Sequence, residues 1–240
     1  MFITIKKWTV LYFFSLFILF FGFLVIFKQG ESVQTIAVQQ ITSPILILDP
    51  GHGGIDGGAV AQDGTVESHV NLSIAKKAAS IAETTGWSVY MTREEDMSIH
   101  DSSAKTIRQQ KVSDLKNRTA LCNTVPNGIL ISIHQNSLPS NKSVRGAQVF
   151  YNDNPGSQEL AQTIQDYLNK VINEINPKSI KPIGDSSYLM SNVECPAVLI
   201  ECAFLSNFED TELIKSEDYQ MKLAAVIISA TEFHLNNSTK

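Results

Sequence analysis

Three short apolar runs constrain the fold of this chain more than any other feature. They occupy residues 45–48, 129–133 and 197–200, and only Ser132 interrupts them. Strands that are apolar on both faces are typical of parallel sheets, because helices cover both sides of such a sheet. Between the runs, apolar residues recur at helical spacing. The sequence therefore predicts an α/β fold with a mostly parallel twisted sheet covered by helices on both faces.

Periodicity also predicts the remaining elements. Helical spacing of apolar residues predicts helices over residues 67–85, 112–123, 160–171 and 219–233. Alternation of apolar and polar residues predicts strands over 87–93 and 146–151, with a short edge strand at 188–190. Residues 94–110 are polar and have no periodicity. A loop of that length in a compact domain is often functional.

The N-terminus contains 20 consecutive residues without a charge, positions 8–27, between Lys7 and Lys28. This length suits one transmembrane helix, and the lysines before it favour a cytoplasmic N-terminus. The alternative is a cleaved signal peptide, which usually has a shorter apolar region and a small-x-small cleavage site. We expect a membrane anchor over residues 1–28, a polar tether over 29–43 and an exported domain over 44–236.

Charge and cysteine content exclude some classes of protein. The formal net charge is −5, which argues against binding to nucleic acid, because nucleic acid favours basic surfaces. The three cysteines, Cys122, Cys195 and Cys202, form neither a disulfide framework nor a C-x-x-C zinc pattern. We expect them to be small buried apolar residues. A bridge between Cys195 and Cys202 is the alternative in an exported chain.

The first apolar run leads into a glycine-rich segment, residues 49–58, that contains one histidine. Glycine lets the backbone approach a ligand closely, so such a segment is often a binding loop. The ligand could be a phosphate held by backbone N–H groups or a metal held by His52. The phosphate patterns do not fit, because Asp56 stands at the third glycine position of G-x-G-x-x-G and no Lys-[Ser/Thr] follows. The segment therefore favours a metal site.

Polar residues end three of the predicted strands. His52 follows the first, His134 ends the second and Glu201 ends the third. The carboxyl ends of parallel strands meet at one edge of a sheet, and Glu67 at the start of the first predicted helix could face the same edge. Two histidines and a carboxylate are a common catalytic zinc set, with water in the fourth position. A further carboxylate could then act as the general base.

Each of these residues also has a structural alternative. Glu67 could favour a helix N-terminus through the helix dipole, and a single histidine after a strand is more often structural than a ligand. Glu201 is harder to explain in this way, because a carboxylate is costly on a buried strand unless it is paired or bound to a metal. We expect no metal role for three other histidines, which are His69, His100 and His234.

Four motifs together resemble those of the zinc-dependent N-acetylmuramoyl-L-alanine amidases. They are DPGHGG at 49–54, the helix opening at Glu67, SIHQN at 132–136 and IECAFLSN at 200–207. Enzymes of this family cut the amide that joins muramic acid to the stem peptide of peptidoglycan. The resemblance covers about residues 45–234. Within the family, the chain is most similar to the sporulation-specific, CwlD-type amidases of the spore cortex, where removal of the peptide precedes formation of muramic-δ-lactam.

The resemblance implies the chemistry of the site. It implies one Zn²⁺ per chain with His52, Glu67 and His134 as ligands, and Glu201 as the catalytic carboxylate. The glycines of the loop are then expected to make room for a glycan strand above the metal, and residues 94–110 are expected to gate or select that strand.

The resemblance also extends to residues around the ligands. Asn136 and Arg118 are expected to contact the substrate, although a structural role is equally compatible with Arg118 and with Arg93. Three positions depart from the usual family pattern: Ser68-His69, Gln135 and Cys202-Ala203. None of them removes an expected ligand, so they concern the surroundings of the ligands.

The resemblance finally implies where the protein acts and on what. The expected partner is a peptidoglycan strand with its stem peptide, and the need for an accessory protein stays open. The enzyme would be exported and anchored to the membrane, facing the cell wall or the space between the forespore membranes, or secreted if the N-terminal segment is cleaved. The alternatives are a non-catalytic peptidoglycan-binding module and a zinc peptidase that acts within the stem peptide.

Overall fold

In the computed structural model of the protein, which describes residues 44–238, six strands form one sheet. Their bounds are β1 Ile45–Pro50, β2 Val89–Met91, β3 Gly128–Asn136, β4 Gln148–Tyr151, β5 Lys181–Pro182 and β6 Ala197–Phe204. The strand order is β2-β1-β3-β6-β4-β5. All neighbouring strands are parallel except β4 and β6, which are antiparallel.

Helices cover both faces of this sheet. They are α1 Glu67–Thr84, α2 Ile107–Thr124, α3 Ser157–Val171, α4 Tyr188–Asn192, α5 Phe208–Ile214 and α6 Glu217–Ser238. Helices α1, α3 and α6 contribute to the larger apolar core on one face, and α2 and α4 contribute to a smaller one on the other. The predicted α/β fold, with helices on both sides of the sheet, is confirmed.

Alternation along the strands sorts their side chains between the two faces. In β3, Ile131 belongs to the larger core and Leu130 to the smaller one. In β6, Ile200 and Leu199 divide in the same way. His134 lies four residues after Leu130, and Glu201 lies two residues after Leu199. Each therefore points to the same face as that leucine. The chemically important residues therefore project from the strands on the face that carries α2 and α4.

Two local predictions differ from the structure. The expected edge strand at 188–190 is wrong: these residues belong to helix α4, whose first turn is capped by the Ser187 side chain, which accepts a hydrogen bond from the Met190 N–H. The edge strand is β5 instead. The loop expected over 94–110 ends earlier, because Thr106 and Gln109 form a capping box that starts α2 at Ile107.

The predicted anchor over residues 1–28 and the tether over 29–43 lie outside the described residues. Within residues 44–238, none of the helices combines the length and the apolar character needed to cross a membrane.

Candidate active site

His52, Glu67 and His134 come together at the carboxyl edge of the sheet. One nitrogen or oxygen atom of each lies within 4.8 Å of the others. The Nε2 atom of His52 is 3.3 Å from Oε1 of Glu67, and Nδ1 of His134 is 3.0 Å from the same oxygen. The two imidazole rings meet edge to face, with centroids 5.0 Å apart. This is a set of nitrogen and oxygen donors that could hold a metal ion.

The electrostatics of this group favour binding of a cation. Burial alone would lower the pKa of His52, but hydrogen bonds to Asp56 and Glu67 outweigh it and raise that pKa to about 9. Burial would raise the pKa of Glu67, but its contacts with His134 and His52 hold it far below the ordinary value. Glu67 is therefore ionised, whereas His52 carries a proton that a metal must displace. Metal binding is expected to weaken as the pH falls, because protons compete with the metal for His52.

Glu201 stands beside this group on the neighbouring strand. Its backbone is in register with His134, so both side chains project from the same face of the sheet. The Oε2 atom of Glu201 is buried and has no hydrogen-bond partner among the described residues. Burial raises the pKa of this carboxyl to about 7. A carboxyl group with this pKa can both accept and donate a proton near neutral pH.

The sequence profile of a family described as N-acetylmuramoyl-L-alanine amidase matches residues 46–232. The chain belongs to this family. The resemblance seen in the four motifs is thus confirmed, and the protein is an enzyme that cleaves the N-acetylmuramoyl-L-alanine amide of peptidoglycan.

Individual relatives agree with the family match. The germination-specific N-acetylmuramoyl-L-alanine amidase of Bacillus subtilis is 35% identical over 187 residues, which is 78% of this chain and 78% of the relative. The CwlD amidase of Clostridioides difficile, solved in complex with the GerS lipoprotein, has a TM-score of 0.77 and 38% identity, covering 80% of this chain and 98% of the other. An amidase from Clostridium difficile 630 has a TM-score of 0.69 and 28% identity, covering 81% and 97%.

Two glycines of the glycine-rich segment, residues 49–58, make room for the side chains of the expected metal ligands. A Cβ atom on Gly51 would collide with the imidazole of His134. A Cβ atom on Gly58 would lie 2.5 Å from Oε2 of Glu67 and 2.8 Å from Cδ2 of His52. The sequence led us to expect these glycines to make room for a glycan. At Gly51 and Gly58 the space is instead occupied by the histidine and glutamate side chains themselves.

The buried side chain of Arg118 holds the backbone of the glycine-rich loop. Arg118 is only 1% exposed, and its guanidinium group donates to Oδ1 of Asp49 at 2.7 Å and to the backbone oxygens of Pro50 at 2.9 Å and His52 at 2.6 Å. It also donates to Asp114 on the same helix at 2.7 Å. Of the two roles that the sequence left open for Arg118, these contacts favour the structural one.

The partner of this arginine is a fully buried carboxylate. Burial alone would raise the pKa of Asp49, but the charge of Arg118 and hydrogen bonds from Thr92 and Ser132 outweigh it and lower that pKa to about 2. Asp49 is therefore ionised near neutral pH, and its ion pair with Arg118 fixes the end of β1 just before the loop begins.

The segment after β2 is bound to the same loop. Arg93 donates to the backbone oxygens of Pro50 and Gly51 at 2.9 and 3.1 Å. Asp96 accepts a hydrogen bond from the Gly54 N–H at 3.1 Å, and the exposed His69 lies 3.1 Å from the same carboxylate. The first part of the region expected to gate the substrate thus packs on the outside of the loop.

Gln135, one of the departures from the family pattern, lies against Glu67. The backbone N–H of Gln135 donates to Oε1 of Glu67 at 3.0 Å, and its side chain donates to Asn71 at 3.1 Å. Asn71 in turn donates to the backbone oxygen of Gly51 at 3.1 Å. Gln135 therefore holds the carboxylate of Glu67 through its backbone N–H and contacts Asn71 through its side chain. All three cysteines are free, so the alternative bridge between Cys195 and Cys202 is absent.

A cavity of about 310 Å³ opens over the His52–Glu201 face of the sheet. Its lining includes Lys111 on α2 and Tyr188 on α4. Asn136, which we expected to contact substrate, is not among the described residues that line it; its Oδ1 accepts from the Ser137 N–H at 2.7 Å. A larger groove of about 750 Å³, bounded by residues 62–63, 142–145 and 205–212, contains none of the predicted site residues.

Sequence reasoning missed two residues that complete the surroundings of His52. Asp56 lies 3.0 Å from Nδ1 of His52, and Lys111 lies 2.7 Å from the other oxygen of Asp56. In the sequence, Asp56 stands out mainly because it interrupts the glycine spacing. Its position four residues after His52 in a tight loop was the available signal. Lys111 offered a weaker one, since it shares a helix face with Asp114 and Arg118.

Proposed function

We propose that this amidase is a zinc enzyme that hydrolyses the bond between N-acetylmuramic acid and L-alanine in spore-cortex peptidoglycan, as a step towards muramic-δ-lactam. The observation that carries the proposal is the grouping of His52, Glu67 and His134 beside the unpartnered Oε2 of Glu201. The cortex assignment is supported by the similarity to a relative named as germination-specific.

The donor set suits zinc better than the hard cations. Two imidazole nitrogens and one carboxylate oxygen are a common protein contribution to catalytic zinc sites, whereas Mg²⁺ and Ca²⁺ prefer oxygen ligands alone. His52, Glu67 and His134 would hold one Zn²⁺ per chain. A zinc ion in such a set acts as a Lewis acid that polarises a carbonyl group and makes water more acidic.

Glu201 carries the proton transfers in this proposal. It accepts a proton from the attacking water and then delivers a proton to the departing amine of L-alanine, which must leave as a neutral group. Its place in register with His134 on the neighbouring strand supports this role, because the two side chains then project from the same face of the sheet. The buried, unpartnered oxygen leaves this carboxylate free to bond to a reactant.

The amidase is further proposed to act outside the cytoplasm and with a partner. The anchor over residues 1–28 and the tether over 29–43 would hold the catalytic domain, 44–236, at the membrane, facing the cell wall or the space between the forespore membranes. Cleavage of the N-terminal segment would secrete it instead. The solved complex of the Clostridioides difficile relative with a lipoprotein supports an accessory protein of that kind.

Mass spectrometry of digested peptidoglycan tests the reaction directly. Zinc-loaded protein should release intact stem peptides that begin with L-alanine and leave glycan strands that carry free lactyl groups. Shortened peptides would instead indicate a peptidase, and unchanged muropeptides together with retained wall binding would indicate a binding module. Removal of the metal with a chelator should stop the release, and added zinc should restore it.

A further inference from the structure

The second nitrogen of His52 is held by a carboxylate. Nδ1 of His52 is 3.0 Å from Oδ2 of Asp56, while Nε2 faces Glu67 at 3.3 Å. When a carboxylate accepts the N–H of one imidazole nitrogen, the other nitrogen keeps its lone pair for a metal. Asp56 therefore holds the ring so that Nε2 faces Glu67, and Nε2 can bind a cation once it has lost its proton.

Asp56 is itself held from helix α2. Nζ of Lys111 lies 2.7 Å from Oδ1 of Asp56, the oxygen that does not contact His52. The backbone of Asp56 is paired with Gly53 through two hydrogen bonds of 2.8 and 3.2 Å. The carboxylate thus has one oxygen for the histidine and one for the lysine, and its backbone is fixed across the turn.

His52 needs this support more than His134 does. His52 has a φ of 62°, a left-handed conformation that is unfavourable for a residue other than glycine. His134 lies within the regular strand β3, and its ring packs against Gly51. Among the described residues, the only carboxylate that pairs with His134 is Glu67.

One face of α2 supplies the support for both parts of His52. Lys111, Asp114 and Arg118 are spaced by three and four residues, which places them on the same side of a helix. Arg118 holds the backbone oxygen of His52 at 2.6 Å, and Lys111 reaches its imidazole through Asp56. The helix therefore fixes the backbone and the ring of His52 separately.

We infer that Asp56 and Lys111 form a positioning pair that orients the imidazole of His52, so that α2 controls metal affinity without contributing a ligand. This inference rests on the proposed zinc function. Lys111 acts only through Asp56, so the effect of changing it depends on the presence of that carboxylate. We describe the pair as positioning because its observed contacts lead to the imidazole of His52.

Zinc affinity of the metal-free protein, measured by competition with a chromophoric chelator at fixed pH and salt, tests the pair. Asp56→Asn should weaken zinc binding by roughly 10- to 100-fold, the range found when a carboxylate partner of a metal-bound histidine is removed. Lys111→Met should weaken it by about 2- to 5-fold, because the ion pair is partly exposed. Lys111→Arg should restore most of the loss.

The double variant gives the sharpest result. If Lys111 acts through Asp56, the variant Asp56→Asn with Lys111→Met should bind zinc no more weakly than Asp56→Asn alone. Losses that add would overturn the inference. So would a Lys111→Met protein with unchanged zinc affinity and a raised KM, because that result would make Lys111 a substrate-binding residue.

Matched controls separate this inference from the proposed function. Lys116→Met removes an exposed lysine from the same helix, and Asp153→Asn removes an exposed aspartate elsewhere; neither should change zinc affinity. Circular dichroism of the metal-free variants checks that they fold, and the Lys111 series remains informative if Asp56→Asn does not. A wild-type protein that binds no zinc would refute the proposed function. Wild-type zinc affinity in Asp56→Asn would refute only the positioning pair.

Discussion

The two faces of the sheet are formed by the same strands but differ in what packs against them. On one face, α1, α3 and α6 bury a large core drawn from alternate strand residues such as Leu48, Ile131 and Ile200. On the other face, α2 and α4 bury a smaller apolar cluster, and the rest is occupied by ion pairs and by the cavity over Glu201. The fully covered face holds the fold together. The incompletely covered face leaves room for a substrate.

Helices α1 and α2 differ from each other in the same way as the two faces of the sheet. Each has 18 residues. The buried side of α1 is mainly apolar, including Ile74 and Ala78, whereas α2 buries Asp114 and Arg118. A buried ion pair adds little stability over an apolar contact of the same size, but it is costly to break. Helix α2 is therefore better understood as the support of the His52 loop than as a contributor to the core.

The largest effect is expected from breaking the charged network. Arg118→Met should destabilise the protein by about 3–5 kcal/mol, because it leaves Asp49 buried without its counter-charge. Zinc affinity should fall as well, since the backbone of His52 loses its support. Urea unfolding and chelator competition measure the two effects. A stable variant with normal zinc affinity would remove the distinction between the faces.

A substitution in the opposite core should affect stability alone. Ile74 is fully buried on α1. Ile74→Ala should cost about 2–4 kcal/mol through lost packing and a residual cavity. The variant that remains folded should bind zinc and turn over substrate as the wild type does. A large loss of zinc affinity at a temperature where the variant is folded would show that the two faces are coupled.

Acid should weaken the charged face through Asp49. Its folded pKa of about 2 is below the ordinary value of 3.8, so the ionised group stabilises the fold above pH 4, and this contribution is lost as the pH falls from about 4 to 2. The contribution is about 2 kcal/mol. The stability gap between wild type and Asp49→Asn should shrink by that amount in urea unfolding at pH 2. A constant gap would contradict the assignment.

The smallest effect is expected at the exposed edge of the apolar face. Lys77 on α1 pairs with Glu217 on α6 at 2.6 Å, and the glutamate side chain is 77% exposed. Glu217→Ala should therefore change the free energy of unfolding by less than about 1 kcal/mol. A loss comparable to that of Ile74→Ala would mean that this face also depends on ion pairs.

The sequence predicted the strands well because their signal is local. Residues 45–48, 129–133 and 197–200 are uninterrupted or nearly uninterrupted apolar runs, and each lies inside an observed strand. Parallel strands end at one edge, so the proximity of His52, His134 and Glu201 could also be anticipated. The short helices α4 and α5 could not, because five and seven residues are too few to establish a helical period.

Contacts between distant segments were beyond the sequence. Lys111 and Asp56 are 55 positions apart, and the weak local signal at each residue does not indicate that the two meet. Gly51 and Gly58 make room for the side chains of His134 and Glu67. These side chains reach the glycines only in the folded structure. Apolar periodicity does not reveal the charged side of α2, because that side buries Asp114 and Arg118.

We propose that the incompletely covered face of the sheet holds a zinc site in which Glu201 transfers protons. The zinc content and the turnover of Glu201→Gln, measured on the same purified sample, test it most directly. We expect about one zinc per chain, as in the wild type, and a turnover reduced by roughly 100-fold or more. Near-normal hydrolysis of peptidoglycan by this variant would contradict the account.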